Sequence, residues 1–183
     1  MKLCEKNFEI NKEIERFTVG RDREMDLYLA KYDVMGSMAH ITMLESIGLL
    51  EKGELTQLLA ELKNIYQLCE RGEFVIEDDV EDVHSQVEML LTRKLGDMGK
   101  KIHSGRSRND QVATDIRLLA KDLCAELLEG NRELRRTLAD VAERNLDVVM
   151  PGYTHLQHAQ PVLFSHHMLA YFWMFTRDAV RLQ

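Results

Sequence analysis

The sequence predicts an all-α fold, from the spacing of its apolar residues, from its helix-ending residues and from the absence of alternating strands. Apolar residues recur at the spacing of one helix face through most of the 183 residues. Glycines and cations follow several of these stretches, as is typical of helix C-termini. We therefore expect a small helical domain over residues 1–106 and, over residues 107–183, the first long helices of a bundle.

Three helices are predicted in the first hundred residues. The stretch 21–50 is expected to form one long helix, bent near Gly36. Two further helices are marked by apolar stripes, Leu55, Leu58, Leu59, Leu62 and Ile65 in one and Val80, Val83, Val87, Leu90 and Leu91 in the other. Gly72 and Gly96 are placed to end these two helices, the second with two cations just before it.

A much longer helix is predicted over residues 109–149. Its apolar positions keep helical phase and only Gly130 interrupts them, so that roughly 40 residues would give a rod of about 60 Å. Such a rod must be covered by other long helices, in a bundle or from neighbouring subunits. Pro161 is expected in the first turn of the next helix. That helix contains "MLAYFWMF", which is apolar on every face and therefore requires burial on all sides.

Composition excludes several classes of protein. The formal net charge of −7 argues against a nucleic-acid binder, and no apolar run approaches the roughly 20 residues that span a membrane. The N-terminus lacks the apolar segment of a signal peptide. Cys4, Cys69 and Cys124 have no metal-like or disulfide-like spacing, and we expect three buried thiols. These features predict a cytoplasmic protein without membrane or nucleic-acid partners.

The first chemically distinctive motif is "GKKIHSGRSRND", residues 99–110, which leads into the long helix. It carries four positive charges, Lys100, Lys101, Arg106 and Arg108. The free N–H groups and positive dipole end of a helix N-terminus favour a small anion, and Ser107, Arg108 and Asn109 add three kinds of donor. The alternative is purely structural. Ser107 and Asp110 fit the Ser-x-x-acid capping pattern, with solvated cations around them.

The second motif is "PGYTHLQHAQP", residues 151–161, which is bounded by the only two prolines of the chain. It is expected to be a loop rich in polar side chains: Thr154, His155, Gln157, His158 and Gln160. A histidine there could exchange a proton near neutral pH. Two alternatives stay open. One is a hydrogen-bonded structural loop, and the other is a metal site formed by histidines at 155, 158, 166 and 167, although no carboxylate or cysteine completes that set.

Together, "HSGRSRNDQ" and "GYTHLQHAQP" resemble the argininosuccinate lyases and their lens relatives, the δ-crystallins, within the fumarase–aspartase superfamily. The segments "DVEDVHSQVE" (79–88) and "DVMGSMAH" (33–40) support the resemblance, because the family has similar segments in the same order. The resemblance implies a mainly helical fold, in which long helices assemble into the core of a homotetramer. It implies reversible elimination of argininosuccinate to arginine and fumarate, in arginine biosynthesis, with no metal or organic cofactor.

The same resemblance implies roles for particular residues. His155 would share the acid and base roles with a serine on a Gly-Ser-Ser-x-Met-Pro loop that family members carry beyond the region corresponding to this chain. Substrate contacts are implied for seven further residues: Asp82, His84, Ser107, Arg108, Asn109, Thr154 and Gln157. Read locally, His84 is only a polar residue beside a helix stripe.

Two departures from the family pattern favour other readings. Cys4 replaces a usual tryptophan, and "FTVGRDREMD" replaces an Asn-x-Ser segment whose substrate contact could pass to Thr18, Arg21 or Asp22. A non-catalytic, crystallin-like homologue is therefore one alternative, and a helical metal-binding or interaction module is another. Because the last helix has no stop and the serine loop is absent, we expect the front part of a longer protein, inactive on its own.

Overall fold

A computed structural model describes residues 12–183, and the fold over this range is mostly helical with one small sheet. The elements follow in chain order as α1 (Lys12–Val19), α2 (Asp22–Asp26), α3 (Ala30–Ser46), α4 (Lys52–Glu70), α5 (Val83–Leu95), α6 (Asp97–Lys100), α7 (Arg108–Arg144), β1 (Val149–Thr154), β2 (Gln157–Leu163) and α8 (Phe164–Leu182). A 3₁₀ turn at Lys101–His103 lies between α6 and α7. The predicted helical fold class is confirmed.

The chain divides into two compact units, Met1–Leu119 and Ala120–Gln183, and the division falls within α7. The domain boundary placed between residues 106 and 107 from the sequence stays a prediction. The first unit contains the hydrophobic core, which α3, α4 and α5 build with the segment between α4 and α5.

The predicted apolar stripes form this core. On α4, Leu58, Leu62 and Ile65 are fully buried, and on α5 Val87 and Leu91 are as well. Each such side chain contributes on the order of 2 kcal/mol when it leaves water. The stripes therefore identified the faces by which these helices pack.

Helix ends follow the predicted signals. The N–H of Glu51 donates to the Glu54 carboxylate (2.9 Å), which satisfies one free donor at the start of α4. α4 ends at Glu70, and Gly72 follows with φ +68°. α5 ends at Leu95, and Gly96 follows with φ +63°. Both glycines occupy the left-handed region that a helix stop requires.

The prediction of one helix over residues 21–50 is wrong. Between α2 and α3 the N–H groups of Tyr28 and Leu29 bond to the carbonyls of Met25 and Asp26, three residues earlier. This tighter pattern interrupts the α-helix, while the Asp26 carboxylate accepts a hydrogen bond from the N–H of Val83 (3.1 Å). The break therefore coincides with a contact to a residue distant in sequence, and α3 runs through Gly36 without interruption.

The long helix α7 has 37 residues and runs through Gly130, giving a rod of about 55 Å. It ends at Arg144 and not near residue 149. In the second unit, large apolar side chains of α7 and α8 are exposed, among them Leu127 (59%) and Trp173 (60%). The apolar segment of α8 is thus not covered within the described part of this chain.

Residues 149–163 form an antiparallel β-hairpin, so the expectation of an open loop without strands is wrong. Pro151 pairs opposite Pro161, and Thr154 opposite Gln157. Pro161 therefore lies within β2, and the helix that it was expected to start begins at Phe164. The strand signal was absent from the sequence because nearly every hairpin residue is exposed, which removes the apolar–polar alternation of a half-buried strand.

The cysteine prediction is only partly right. Cys69 and Cys124 are free, but each is half-buried and not fully buried, while Cys4 lies outside the described residues. Within residues 12–183, no helix is long and apolar enough to cross a membrane.

Candidate active site

The N-terminus of α5 holds one side of the site. Asp82 is its N-cap, and the Asp82 Oδ1 atom accepts a hydrogen bond from the N–H of Ser85 (2.8 Å). The other carboxylate oxygen, Oδ2, lies 2.5 Å from the Nη1 atom of Arg108. The Nη2 atom of Arg108 donates to the Ser85 hydroxyl (2.6 Å), and Glu81 lies 3.2 Å from Nη1. Arg108 is therefore tied to α5 through three side chains.

The N-terminal turn of α7 is capped as the sequence predicts. The N–H of Ser107 donates to Asp110 Oδ2 (3.0 Å), which is half of a capping box. Ser107 and Asn109 are exposed, so that their polar groups are available to a ligand. The capping reading and the anion-binding reading are thus compatible at this turn, because the cap uses one backbone donor and leaves the side chains of Ser107 and Asn109 at the surface.

The two lysines of this motif are exposed, and each also has an acidic partner. Lys100 pairs with Asp97 (2.7 Å), and Lys101 pairs with Glu54 (2.5 Å). The Nη2 atom of Arg106 donates to the Ser37 hydroxyl (2.9 Å). Lys101 and Arg106 therefore have partners distant in sequence, whereas the acid that pairs with Lys100 lies three residues before it.

Behind Arg108 lies a buried polar cluster that sequence reasoning largely missed. Asp33 Oδ1 lies 2.8 Å from His84 Nδ1 and 3.0 Å from Gln111 Nε2, and Asp115 Oδ2 lies 3.9 Å from the same histidine nitrogen. His84 is therefore more than a polar residue beside a helix stripe, because only 6% of it is exposed and its ring contacts Asp33. A signal was present. Gln111 and Asp115 are four residues apart and share one face of α7, and Asp33 stands in the segment "DVMGSMAH".

Burial and charge act against each other on this histidine. Burial alone favours the neutral ring, but the hydrogen bond and charge of Asp33, with the charges of Asp82 and Asp115, raise the pKa of His84. Burial first, and then the charge of Asp33, raise the pKa of Asp115 to about 7. The cluster therefore retains protons that exposed groups of the same kind would lose.

A cavity of about 250 Å³ opens beside these residues. Its lining includes Asp82, His84 and Arg108 together with Thr18 and Asp22. Thr18 and Asp22 belong to the segment that departs from the family pattern, so two of the three proposed replacements line the same cavity. Arg21 instead forms an exposed pair with Glu24 (2.8 Å).

The second motif is presented at the tip of the hairpin. Residues 155 and 156 form its two-residue turn, and His155 and Leu156 both adopt positive φ, at 49° and 63°. Thr154, His155 and Gln157 are exposed. His158 differs from His155, because its Nε2 atom lies 3.1 Å from the Tyr153 hydroxyl and the two rings are 4.9 Å apart.

The predicted site residues thus fall into two groups. Asp82, His84, Ser107, Arg108 and Asn109 lie in the first unit, where the structure brings Asp82, His84 and Arg108 to one cavity. Thr154, His155 and Gln157 lie together at the hairpin tip in the second unit.

The alternative of a metal site concerns the histidines around residue 155. Among residues 12–183, one group of three histidine and acidic side chains has all its ligand atoms within 4.8 Å of one another, and it consists of Asp33, His84 and Asp115. That group is in the other unit, and it already has internal hydrogen bonds.

Comparisons with known proteins place relatives along the whole chain. The chain is 63% identical over 182 residues to the argininosuccinate lyase of Bacteroides fragilis, covering 100% of this chain and 41% of that protein. It is 66% identical over 164 residues to the argininosuccinate lyase of Bacteroides thetaiotaomicron, covering 90% and 37%. The chain therefore spans about two fifths of the length of the curated relatives it matches.

Solved structures and a family model extend the comparison. A variant of EDDS lyase with bound fumarate superposes with a TM-score of 0.72 at 27% identity, covering 85% of this chain and 30% of that one. The family model described as "Lyase" matches residues 10–183, which include both motifs and every predicted site residue. The chain therefore belongs to this lyase family.

Proposed function

We propose that this chain forms part of an argininosuccinate lyase, which reversibly splits argininosuccinate into arginine and fumarate. The observation that carries the proposal is the 63% identity to such a lyase across 182 residues. The clustering of Asp82, His84 and Arg108 at one cavity supports it.

The proposed reaction is an elimination. A base takes a proton from the carbon next to one carboxylate, and the electron pair of that C–H bond forms the C=C bond of fumarate. The C–N bond breaks, and the departing guanidino nitrogen receives a proton, which gives arginine. Negative charge develops on the carboxylate beside the reacting carbon, and each preorganised donor aimed at it contributes on the order of 3 kcal/mol.

The first unit is proposed to bind substrate carboxylates. Ser107 and Asn109 offer exposed donors at the N-terminus of α7, where the helix dipole favours an anion. Arg108 lines the adjacent cavity with its guanidinium held by Asp82, and His84 lines the same cavity. Asp82 acts in this scheme by orienting Arg108, and His84 completes the wall.

The second unit is proposed to supply the proton transfer. His155 stands exposed at the hairpin tip, flanked by Thr154 and Gln157, which are suitable donors to a carboxylate. An imidazole titrates close to neutral pH and can both accept and return a proton. No metal or organic cofactor enters the scheme, because N–H donors and a guanidinium stabilise the developing charge.

Assembly, compartment and pathway complete the proposal. Exposed apolar side chains on α7 and α8, such as Leu127 and Trp173, favour burial against further helices, which supports a homotetramer. Two free, half-buried thiols suit the reducing cytoplasm. The product arginine places the reaction in arginine biosynthesis.

The test uses a lyase of the relatives' full length that carries this chain as residues 1–183, hereafter the full-length lyase. Purified enzyme is mixed with argininosuccinate, and fumarate is followed by its absorbance. We expect turnover of at least about 1 s⁻¹, the lower end of ordinary enzymes. Turnover that is absent with argininosuccinate would refute the proposal. Metal analysis and dialysis against a chelator test the cofactor statement, because activity lost on chelation and restored by metal would contradict it.

A further inference from the structure

Four buried polar residues from three helices meet behind the cavity. Asp33 comes from α3, His84 from α5, and Gln111 and Asp115 from α7. Asp33 and Asp115 are each 1% exposed, and Gln111 is 5% exposed. Groups of this kind are costly to bury unless they bond to one another, so their meeting point is a specific arrangement and not a general polar surface.

One oxygen joins two of these helices. Asp33 Oδ1 accepts a hydrogen bond from the Nε2 group of Gln111 (3.0 Å) and lies 2.8 Å from His84 Nδ1, which donates to it when that nitrogen is protonated. Asp33 itself lies in the first turn of α3, beside the fully buried Val34. The relative placement of α5 and the first turns of α7 therefore depends on a carboxylate anchored in the core.

Of the two helices that Asp33 joins, α7 contains Arg108 and α5 begins with the side chains that bond to it. Gln111 follows Arg108 by three residues on α7, and His84 lies between Asp82 and Ser85, the side chains that bond to the guanidinium. A shift of His84 or Gln111 would displace Arg108 from its partners. The raised pKa of His84 strengthens the link, because a protonated ring binds the carboxylates of Asp33 and Asp115 more tightly.

Not every polar atom of the cluster is hydrogen-bonded to another residue. Asp33 Oδ2, Gln111 Oε1 and Asp115 Oδ2 are buried without a hydrogen-bond partner. The same three residues line a second cavity, of about 310 Å³. The bonds that do form, from His84 and Gln111 to Asp33, are therefore the ones that join the helices carrying Arg108 and its partners.

We propose that Asp33, His84, Gln111 and Asp115 form a positioning network that sets the N-terminal turn of α7, and with it the Arg108 guanidinium, for carboxylate binding. The network touches Arg108 only through neighbouring residues, so Asp33, Gln111 and Asp115 are positioning residues. The inference rests on the proposed function for its kinetic consequence, but its structural consequence can be measured separately.

The test compares Asp33→Asn and Gln111→Leu with a matched control, Gln86→Ala, in the full-length lyase. Gln86 is a buried polar residue of the same helix as His84, but it bonds to the N–H of Glu77, away from Arg108. We expect the two network variants to lower kcat/KM about 10- to 100-fold, the scale of a misplaced group. The control should lose stability without this kinetic effect.

Two further measurements decide between positioning and general destabilisation. Hydrogen exchange should accelerate at least about tenfold in the first turns of α7 in the network variants, with α4 unchanged as an internal reference. In a double-mutant cycle, Asp33→Asn should add little to the loss caused by Arg108→Ala, since both act through one guanidinium. Additive losses, or equal exchange in α4 and α7, would overturn the network. A wild-type enzyme without turnover would refute the proposed function alone, because the exchange result would still test the network.

Discussion

The two units of the chain solve the burial of apolar surface in different ways. In the first unit, α3, α4 and α5 enclose a core in which Leu58, Leu62 and Ile65 are almost completely buried. In the second, α7 and α8 leave large apolar side chains in contact with solvent, Leu127 and Trp173 among them. Three residues of the second unit are buried, Ala142, Ser165 and Ala179, and none of them is large.

The apolar faces of helices therefore serve two purposes in this chain: some close a core within the chain, and others remain available to further helices. Short helices joined by tight turns can close a core within one chain. A helix of 37 residues presents more apolar surface than one neighbour of 19 residues can cover, so its remaining face is suited to other helices. The candidate site follows the same division, with Arg108 held by neighbouring side chains in the first unit and His155 exposed on a hairpin in the second.

The largest effect is expected when the 183-residue chain is tested alone. We predict that it has no measurable lyase turnover, at least about 10⁴-fold below the full-length lyase, because positioning and proton transfer are both incomplete. Its exposed α7 and α8 faces should instead drive self-association. Fumarate release and sedimentation measure the two outcomes. Ordinary turnover would contradict the first expectation, and a well-behaved monomer would contradict the second.

The next prediction compares one leucine from each unit in the 183-residue chain. Leu62→Ala removes a fully buried side chain from the core and should cost about 3 kcal/mol of unfolding free energy. Leu127→Ala removes one that is 59% exposed and should cost less than about 0.5 kcal/mol while weakening self-association. Denaturant unfolding and sedimentation would test the pair. Equal costs at the two positions would remove the distinction between the units.

The third prediction concerns the two histidines of the hairpin in the full-length lyase. His155→Asn should lower turnover at least about 10²-fold, the usual scale for a lost acid or base. His158→Asn is the matched control, because His158 contacts Tyr153 and has no role in the proposed chemistry. Its turnover should stay within a few-fold of wild type. If the two variants have similar activity, His155 does not transfer the proton.

The smallest expected effect is a pH dependence that belongs to the first unit. Asp115 has a raised pKa, about 7, caused by burial and then by the charge of Asp33, with His84 and Arg106 acting in the opposite direction and Asp26 adding to the rise. A carboxyl group whose pKa is higher in the folded state favours folding at low pH. Its contribution is fully present below the ordinary value of 3.8 and is lost as the pH rises through 7.

Asp115→Asn should therefore gain stability relative to wild type as the pH rises from about 4 to about 8, as measured by Tm at each pH. Asp97→Asn serves as the control, because its Tm difference from wild type should stay constant over this range. Asp97 is exposed, and the hydrogen bond from Lys100 lowers its pKa, so that its contribution is lost only as the pH falls below the ordinary value of 3.8. A Tm difference for Asp115→Asn that does not change with pH would contradict the buried, proton-retaining carboxyl group.

The comparison also explains which features the sequence could predict. The stripes of α4 and α5 were readable because their buried faces repeat at helical spacing within a short stretch. The break between α2 and α3 was not readable, because it depends on Asp26 bonding to Val83, 57 residues away. The hairpin was missed for a different reason. Its turn has neither glycine nor asparagine, and its strands are exposed on both faces.

The candidate site divides in the same way. Asp82, Arg108 and His155 stand in short motifs that can be recognised as strings. Asp33, Gln111 and Asp115 come together only in the folded first unit, and each could equally be a surface residue of its own helix. The acids that pair with Lys101 and Arg108 were hidden from local reading for the same reason, since Glu54 and Asp82 lie 47 and 26 residues away in sequence.

In the turn at His155 and Leu156, the residues that the backbone conformation favours differ from those that the proposed reaction requires. Both residues have the left-handed φ that a two-residue hairpin turn demands, a conformation in which asparagine and glycine are favoured and a leucine is strained. Selection for stability alone would therefore lead this turn toward Asn-Gly. Under the proposed mechanism, selection for turnover would keep a histidine at its first position, so variants chosen for heat resistance and variants chosen for activity should diverge first at these two residues.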